Sequence, residues 1–335
     1  MKTLVRVSFV LIVLAFFGAI ANGFGTAEAK EVKKWRICSC CVPSDPMTIH
    51  AVNWAKAVER MTNGGIQITM FDSMKLGHER ETLEQVQAHA LEGGTFSNGC
   101  IPSFVPTQAI WSLPYLFKSR EHAIAFDKTP EADILKAKFE EVGLKYVALN
   151  PQGFRSIMNS KRSIETPEDL KGMKIRTMEN PIHMASFRSM GASVVPLNWG
   201  ELYTALQTGV VDGFENSMSG FTETKAYEVC KYVSFTDHFV DAIFILMDLK
   251  VYNSLSPEEQ KIIYRAADEV LDTQLKECEK MDREGLDLLK REGVTANYPD
   301  LEAFAKLVKP VYVDFEKDFP ELKPVLRKIE ALGKK

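Results

Sequence analysis

The chain predicts an α/β fold in two lobes. Short strands alternate with amphipathic helices, that alternation restarts midway, and a very long helix follows with no Gly/Ser linker anywhere. Strand–helix–strand–helix order builds a sheet covered on both faces. Two such blocks without a flexible linker must be joined by several crossing segments, which implies a hinge and a cleft.

The first block begins at Trp35–Cys38, read as a strand. Ser44-Asp45-Pro46 opens a helix to about Met61, with Val52, Ala55, Val58 and Met61 at helical spacing. Thr62-Asn63-Gly64-Gly65 closes it with residues that tolerate positive φ. Ile66–Phe71 alternates as a half-buried strand. Glu81–Glu92 predicts a helix closed by Gly93-Gly94, and Thr95–Ser97 a further strand.

The second block starts near Leu144, with strands at Leu144–Leu149 and Ser156–Asn159. Thr166-Pro167-Glu168-Asp169 combines a capping Thr, Pro at the first position and acids in the first turn, and Gly172 ends that short helix. Lys174–Thr177 is the next strand. Asn198 caps a helix over Gly200–Thr208, Val210–Phe214 is a short strand, and Phe244–Asp248 is an apolar strand returning to the first sheet. Ser256-Pro257-Glu258-Glu259 is the strongest helix start in the chain, with a capping box. Its helix runs to about Glu292, long enough to act as a strut across both lobes. More polar helical segments fill 300–332. The expected division is lobe I at 30–152 and 241–280, and lobe II at 153–240 and 281–335.

The opening residues have the form of a secretory signal peptide. Lys2 and Arg6 precede an apolar run of about eleven residues, Val7 to Phe17, and Ala27-Glu28-Ala29 supplies the cleavage pattern. Cleavage is expected after Ala29, with Ala19-Ile20-Ala21 a second site. The run is well short of the roughly 20 residues of a spanning helix, so an exported, soluble protein is expected.

Without Lys2, Arg6 and Glu28 the chain keeps 39 basic and 44 acidic residues. That mild acidity argues against a nucleic-acid partner. It does not bear on a small anion, because one or two arginines in a cleft override a weak global field. The six cysteines are Cys38, Cys40, Cys41, Cys100, Cys230 and Cys278. Cys38-x-Cys40-Cys41 is too tight for a zinc knuckle, with no second cluster to complete it. Reduced, buried thiols are expected, and a disulfide from Cys40 or Cys41 to Cys100 is the alternative.

No G-x-S-x-G, G-x-G-x-x-G, Walker or H-E-x-x-H motif occurs, and the six histidines form no i, i+4 pair. Four other motifs do occur in order. They are Leu76-Gly77-His78-Glu79-Arg80-Glu81, Leu113-Pro114-Tyr115-Leu116-Phe117, Asp169-Leu170-Lys171-Gly172-Met173-Lys174-Ile175-Arg176, and the block from Leu202-Tyr203 through Asp212-Gly213-Phe214-Glu215-Asn216. Together they resemble the signatures of TRAP-transporter substrate receptors, the DctP-like solute-binding proteins, over essentially the whole chain after the leader.

The resemblance implies a two-lobe periplasmic binding protein fold with a hinge, shared strands and a lobe-spanning helix. It implies that Arg176 grips a ligand carboxylate through a two-pronged ion pair, for which a planar, permanently charged guanidinium is suited. A surface pair with Glu179 is the alternative for that residue. Arg155 matches a second cleft arginine, Asn216 an amide that meets the ligand, and Trp199 an aromatic ring packed on it. A solvated Arg155 and a Trp199 in plain packing are the bland readings. By a weaker match, Cys40, Glu79, Asn98 and His238 fall where the first lobe faces the ligand, with core or hinge roles equally open for Cys40 and Glu79.

Sialic-acid-binding relatives tend to carry an acid at the position of Asn98 and an amide at that of Cys40. The departures here suggest a smaller or less hydroxylated ligand. Dicarboxylates, small hydroxy or keto acids and C2 sulfonates such as isethionate all fit, since a sulfonate offers the arginines the same acceptors. The resemblance further implies periplasmic location, separate membrane permease subunits as partners, a monomer, and no metal or organic cofactor, although some relatives hold a calcium-bridged ligand. Two rival classes are a receptor serving chemosensing and a periplasmic hydrolase using Cys40 and His238.

Overall fold

The computed structural model describes residues 32–334, so the expected signal peptide and its cleavage site lie outside the described residues. Among the described residues no helix is long and apolar enough to cross a membrane. The strands are β1 (Lys33–Cys38), β2 (Ile66–Phe71), β3 (Gly93–Ser97), β4 (Leu144–Asn159), β5 (Lys174–Thr177), β6 (Ser193–Pro196), β7 (Gly213–Asn216), β8 (Tyr232–Asp248) and β9 (Thr295–Asn297). They form one mixed sheet in the order β2-β1-β3-β8-β4-β7-β5-β6, with β9 also on β8.

Two very long strands hold the two halves together. β4 and β8 pair antiparallel from Leu144↔Asp248 to Asn159↔Tyr232, with register shifts at Pro151/Phe154 and Arg155/Ile157. At one end of β8 its neighbour is β3, antiparallel, and at the other it is β9, parallel. β7 joins β4 only at Ser156–Asn159. β5 then lies parallel between β6 and β7. Bulges bend a strand and re-aim its side chains, and here two of them fall at the midpoint of the ribbon.

The sequence expectation cut both strands into pieces, because Pro151-Gln152-Gly153 and the residues around Asp237 break the alternation. Asp237 takes φ +42°, a turn-like conformation inside the strand. A second correction concerns Gly93-Gly94, read as a helix stop. The helix runs Glu79–Gln87, and both glycines lie inside β3. They are needed for close approach. A Cβ on Gly93 would sit 2.6 Å from the Leu246 carbonyl oxygen, and one on Gly94 would sit 2.5 Å from Cys38 Sγ. The backbone oxygen cannot move aside, so Gly93→Ala is expected to cost about 1–3 kcal/mol of overpacking strain. The check is a lower urea midpoint at unchanged m.

Helix Pro46–Met61 forms as read, with Asp45 as its N-cap accepting from Met47 N at 2.7 Å. Helix Pro257–Arg291 starts at the expected capping box, Ser256 with Glu259. It is the anticipated strut. Trp54 Nε1 donates to the Ile263 carbonyl at 3.1 Å and Gln274 Nε2 to that of Pro46 at 2.8 Å, which ties its first part to helix Pro46–Met61. Farther along, Gly285 allows close packing on Met218 and Thr222 of helix Met218–Glu223.

The chain's last helices pack on elements of both blocks. Lys323–Leu332 packs on helices Arg120–Asp127 and Pro130–Glu140, where His122 Nε2 lies 2.8 Å from the Ile329 carbonyl. Helix Lys309–Asp318 packs on Pro181–Ser189 instead.

Candidate functional site

The parallel strands β5, β6 and β7 end together, and loops at the carboxyl ends of parallel strands are where open α/β sheets hold ligands. Arg176, Leu197 and Asn216 all stand at or just beyond those ends. Opposite them come Cys40 after β1, Glu79 at the start of its helix, Ser97 at the end of β3, and Asp241 and Ile243 from β8. Arg176, Asn216, Cys40, Glu79, Ser97, Asp241 and Ile243 line a cavity of about 50 Å³, with Asp45, Gln152, Arg155, Trp199 and Glu223 also on its wall. A wider cavity of about 280 Å³ shares Cys40, Glu79, Arg176, Met178 and Trp199 and leads outward past His78 and Glu201.

The two arginines differ in kind. Arg155, 3% exposed, is fully engaged within the protein. Its Nε donates to Glu215 Oε2 at 2.6 Å, Nη1 to Asp241 Oδ1 at 2.9 Å, and Nη2 to the Glu215 carbonyl and Oε1 at 3.0 Å. Burial works against both charges. The mutual attraction outweighs it, holding Arg155 above its ordinary range and Glu215 well below the usual carboxylate range. Asp241 is further held by Ser217 Oγ at 2.6 Å.

Arg176 is 2% exposed and in no ion pair among the described residues, although Glu215 and Glu79 attract it from farther away. Nε donates to the Leu197 carbonyl at 2.9 Å and Nη2 to the same oxygen at 2.6 Å. Its Cζ lies 5.6 Å from the centre of the Trp199 ring, within cation–π reach. Burial pushes it down to about 10. The alternative pairing with Glu179 does not form, since Glu179 lies 3.8 Å from Arg80. Buried charges are normally paired, so the cavity beside Arg176 has the electrostatics of an anion site.

Six of the eight expected residues thus meet at one place: Cys40, Glu79, Arg155, Arg176, Trp199 and Asn216. The other two do not line it. Asn98 follows Ser97 at the end of β3, and neighbouring strand residues face opposite sides. Its Nδ2 donates to the carbonyls of Trp111 at 2.9 Å and Val240 at 3.2 Å, inside the core. His238 is buried against Phe187 and Phe239, with Nδ1 2.8 Å from Thr236 Oγ1 and Nε2 3.6 Å from Glu215 Oε2. It backs the Arg155–Glu215 pair.

Sequence reasoning missed Asp45 and Glu223, as it did Ser97, Gln152 and Asp241 on the same wall. The only signal for Asp45 was a helix cap, and Glu223 carried none. Gln152 Nε2 donates to Asp45 Oδ1 at 3.2 Å, and Val42 N donates to Glu223 Oε1 at 2.9 Å. Burial raises Asp45; burial and the neighbouring Asp45 push Glu223 up to about 9. Glu79, which accepts from Ser97 N, is pushed by burial up to about 7. Cys41, Asp45 and Glu223 each bring one potential metal-ligand atom within 4.8 Å of the others. The six cysteines are free thiols, and Cys40 Sγ lies 3.6 Å from Cys41 Sγ. Hydrogen bonding to Cys40 and burial hold Cys41 well above its ordinary value, so it is a neutral thiol.

Comparison with known proteins gives the family. The model of "Bacterial extracellular solute-binding protein, family 7" matches residues 39–318. A solute-binding protein of Verminephrobacter eiseniae is 36% identical over 267 residues, covering 79% of this chain and 80% of its own. A TRAP periplasmic solute-binding protein of Sulfitobacter sp. NAS-14.1, solved with β-D-galacturonate, superposes with a TM-score of 0.86 at 30% identity, covering 89% of this chain and 100% of that one. Another, from Polaromonas sp. JS666 bound to D-erythronate, gives 0.85 at 32% identity, with 89% and 98% covered. The chain belongs to the bacterial extracellular solute-binding proteins of family 7, and its two-lobe fold is that of the TRAP periplasmic solute-binding proteins.

Proposed function

We propose that this chain is the periplasmic receptor of a TRAP-type transporter, which holds a small organic anion between its lobes and presents it to membrane permease subunits. The observation that carries this reading is Arg176, a buried guanidinium that faces a cavity and is in no ion pair among the described residues. A ligand carboxylate or sulfonate, isethionate among the latter, supplies the missing charge. Arg155 supports the site from behind, Trp199 covers Arg176, and Asn216 and Glu79 offer polar contacts. The solved relatives described above hold galacturonate and erythronate, each an anion with one carboxylate.

Elements of the lobes, by this reading, are divided at the bulges of β4 and β8. Closing them around the ligand is a hinge motion at those residues, with the Pro257–Arg291 helix spanning both. The receptor acts as a monomer after its leader is removed, and no step requires a metal or organic cofactor. The test is a thermal-shift screen of refolded, ligand-free protein against carboxylates, hydroxy and keto acids and small sulfonates. A ligand at about 100 times its Kd adds about 2.7 kcal/mol, an upward shift that is readily read. Indifference to every class of organic anion refutes the receptor reading.

A further inference from the structure

We propose that the site selects a small monoanion whose far end donates a hydrogen bond, and that Asp45 and Glu223 enforce this by repelling a second anionic group. The inference rests on the receptor reading above and names the class of ligand it takes. The observation behind it is the distribution of charge around the cavity. Arg155 is taken up by Glu215 and Asp241, which leaves Arg176, among the described residues, as the cationic group on the cavity wall free to meet a ligand's charge. The same wall carries Asp45, Glu79 and Glu223, and none of the three is in an ion pair among the described residues. One headgroup is attracted; anything else negative faces acids.

These acids present acceptors. Glu223 Oε1 accepts from Val42 N, and the Glu223 and Asp45 side chains lie close enough to share one proton. Asp45 Oδ1 already accepts from Met47 N and Gln152 Nε2. One shared proton does not satisfy two carboxyls, and a ligand hydroxyl or ammonium can donate to the acceptor positions it leaves. Proton sharing does not turn the pair into an anion receptor. With one proton between them, Asp45 and Glu223 still carry a net negative charge, and Glu79 on the same wall adds to it when ionised. Specificity commonly depends on such a repulsive element as well as on an attractive one, and a site built around a ligand's hydrogen bond discriminates strongly against the analogue without it. Asp45 caps the helix that starts at Pro46, and Glu223 ends the helix that starts at Met218. Both therefore stand on packed elements able to hold that discrimination in place.

The test uses calorimetric titration of the full processed chain with matched sets of two, four and six carbons. Within the four-carbon set the probes are 4-hydroxybutanoate, 4-aminobutanoate, butanoate and succinate. At whichever length binds, the hydroxy or amino acid is expected to bind at least tenfold tighter than the plain acid and at least a hundredfold tighter than the dicarboxylate. The stronger of the first two identifies the donor as hydroxyl or ammonium. Asp45→Asn combined with Glu223→Gln is expected to raise dicarboxylate affinity at least tenfold; if that variant does not fold, the wild-type ranking decides. A dicarboxylate that binds as tightly as the hydroxy and amino acids, and loses that binding in Arg176→Ala, overturns this inference and leaves the receptor reading standing. Binding of no probe at any length, alongside a blank thermal screen, overturns both.

Discussion

Arg176→Ala is expected to abolish ligand binding at micromolar concentrations while the protein remains folded. Each hydrogen bond to a charged group contributes about 1.5–3 kcal/mol, and a two-pronged contact therefore about 3–6, or roughly two to four orders of magnitude in Kd. Arg176→Lys should fall between, because an ammonium keeps the charge and loses the planar fork. Stability is expected to move little. Among the described residues the guanidinium is buried outside any ion pair, and burial pushes it down to about 10, so in the ligand-free state it opposes folding. Removing it relieves that cost and leaves the Leu197 carbonyl without its donor, about 1 kcal/mol in the other direction. Calorimetric titration and thermal melting of the same preparations separate the effects. Full affinity in Arg176→Ala would show that the ligand is anchored elsewhere.

Much of this was legible in the residues, and the failures have physical causes. Local chemistry read well. The Asp45-Pro46 and Ser256-Pro257 helix starts, β2 and β5 lie where propensity and capping put them. Long-range chemistry did not. Arg155 was found by its neighbours in sequence, but its role is set by Glu215 and Asp241, 60 and 86 residues away. Asn98 was placed in the cleft, and one step along a strand turns a side chain to the other face. Gly93-Gly94 looked like punctuation because a glycine demanded by a neighbouring strand has the same spelling as one that ends a helix. Glu223 could not be singled out among 45 acidic residues, since what distinguishes it is burial beside Asp45.

Arg155→Met should behave in the opposite way to Arg176→Ala, with a loss of stability whether or not ligand is present. Its guanidinium neutralises Glu215 and Asp241, which are 0% and 2% exposed. Breaking a buried ion pair by removing one partner costs about 3–5 kcal/mol, because the remaining charge has no compensation. The damage reaches further here, since Asp241 also orders Ser217 and Glu215 lies 3.7 Å from His183. The expected reading is a lower urea midpoint and melting temperature at neutral pH. The pH dependence gives a second signature. Attraction to Arg155 holds Glu215 well below its ordinary 4.5, so its stabilisation is present above that value and lost only as pH falls through the lower folded value. Without Arg155 that stabilisation is gone throughout the neutral range, and protonating Glu215 becomes favourable. The gap between wild type and Arg155→Met should therefore narrow as pH is lowered toward 4. A variant that melts with the wild type at pH 7 would mean that Arg155 is no structural keystone, and its guanidinium would then be available to the ligand.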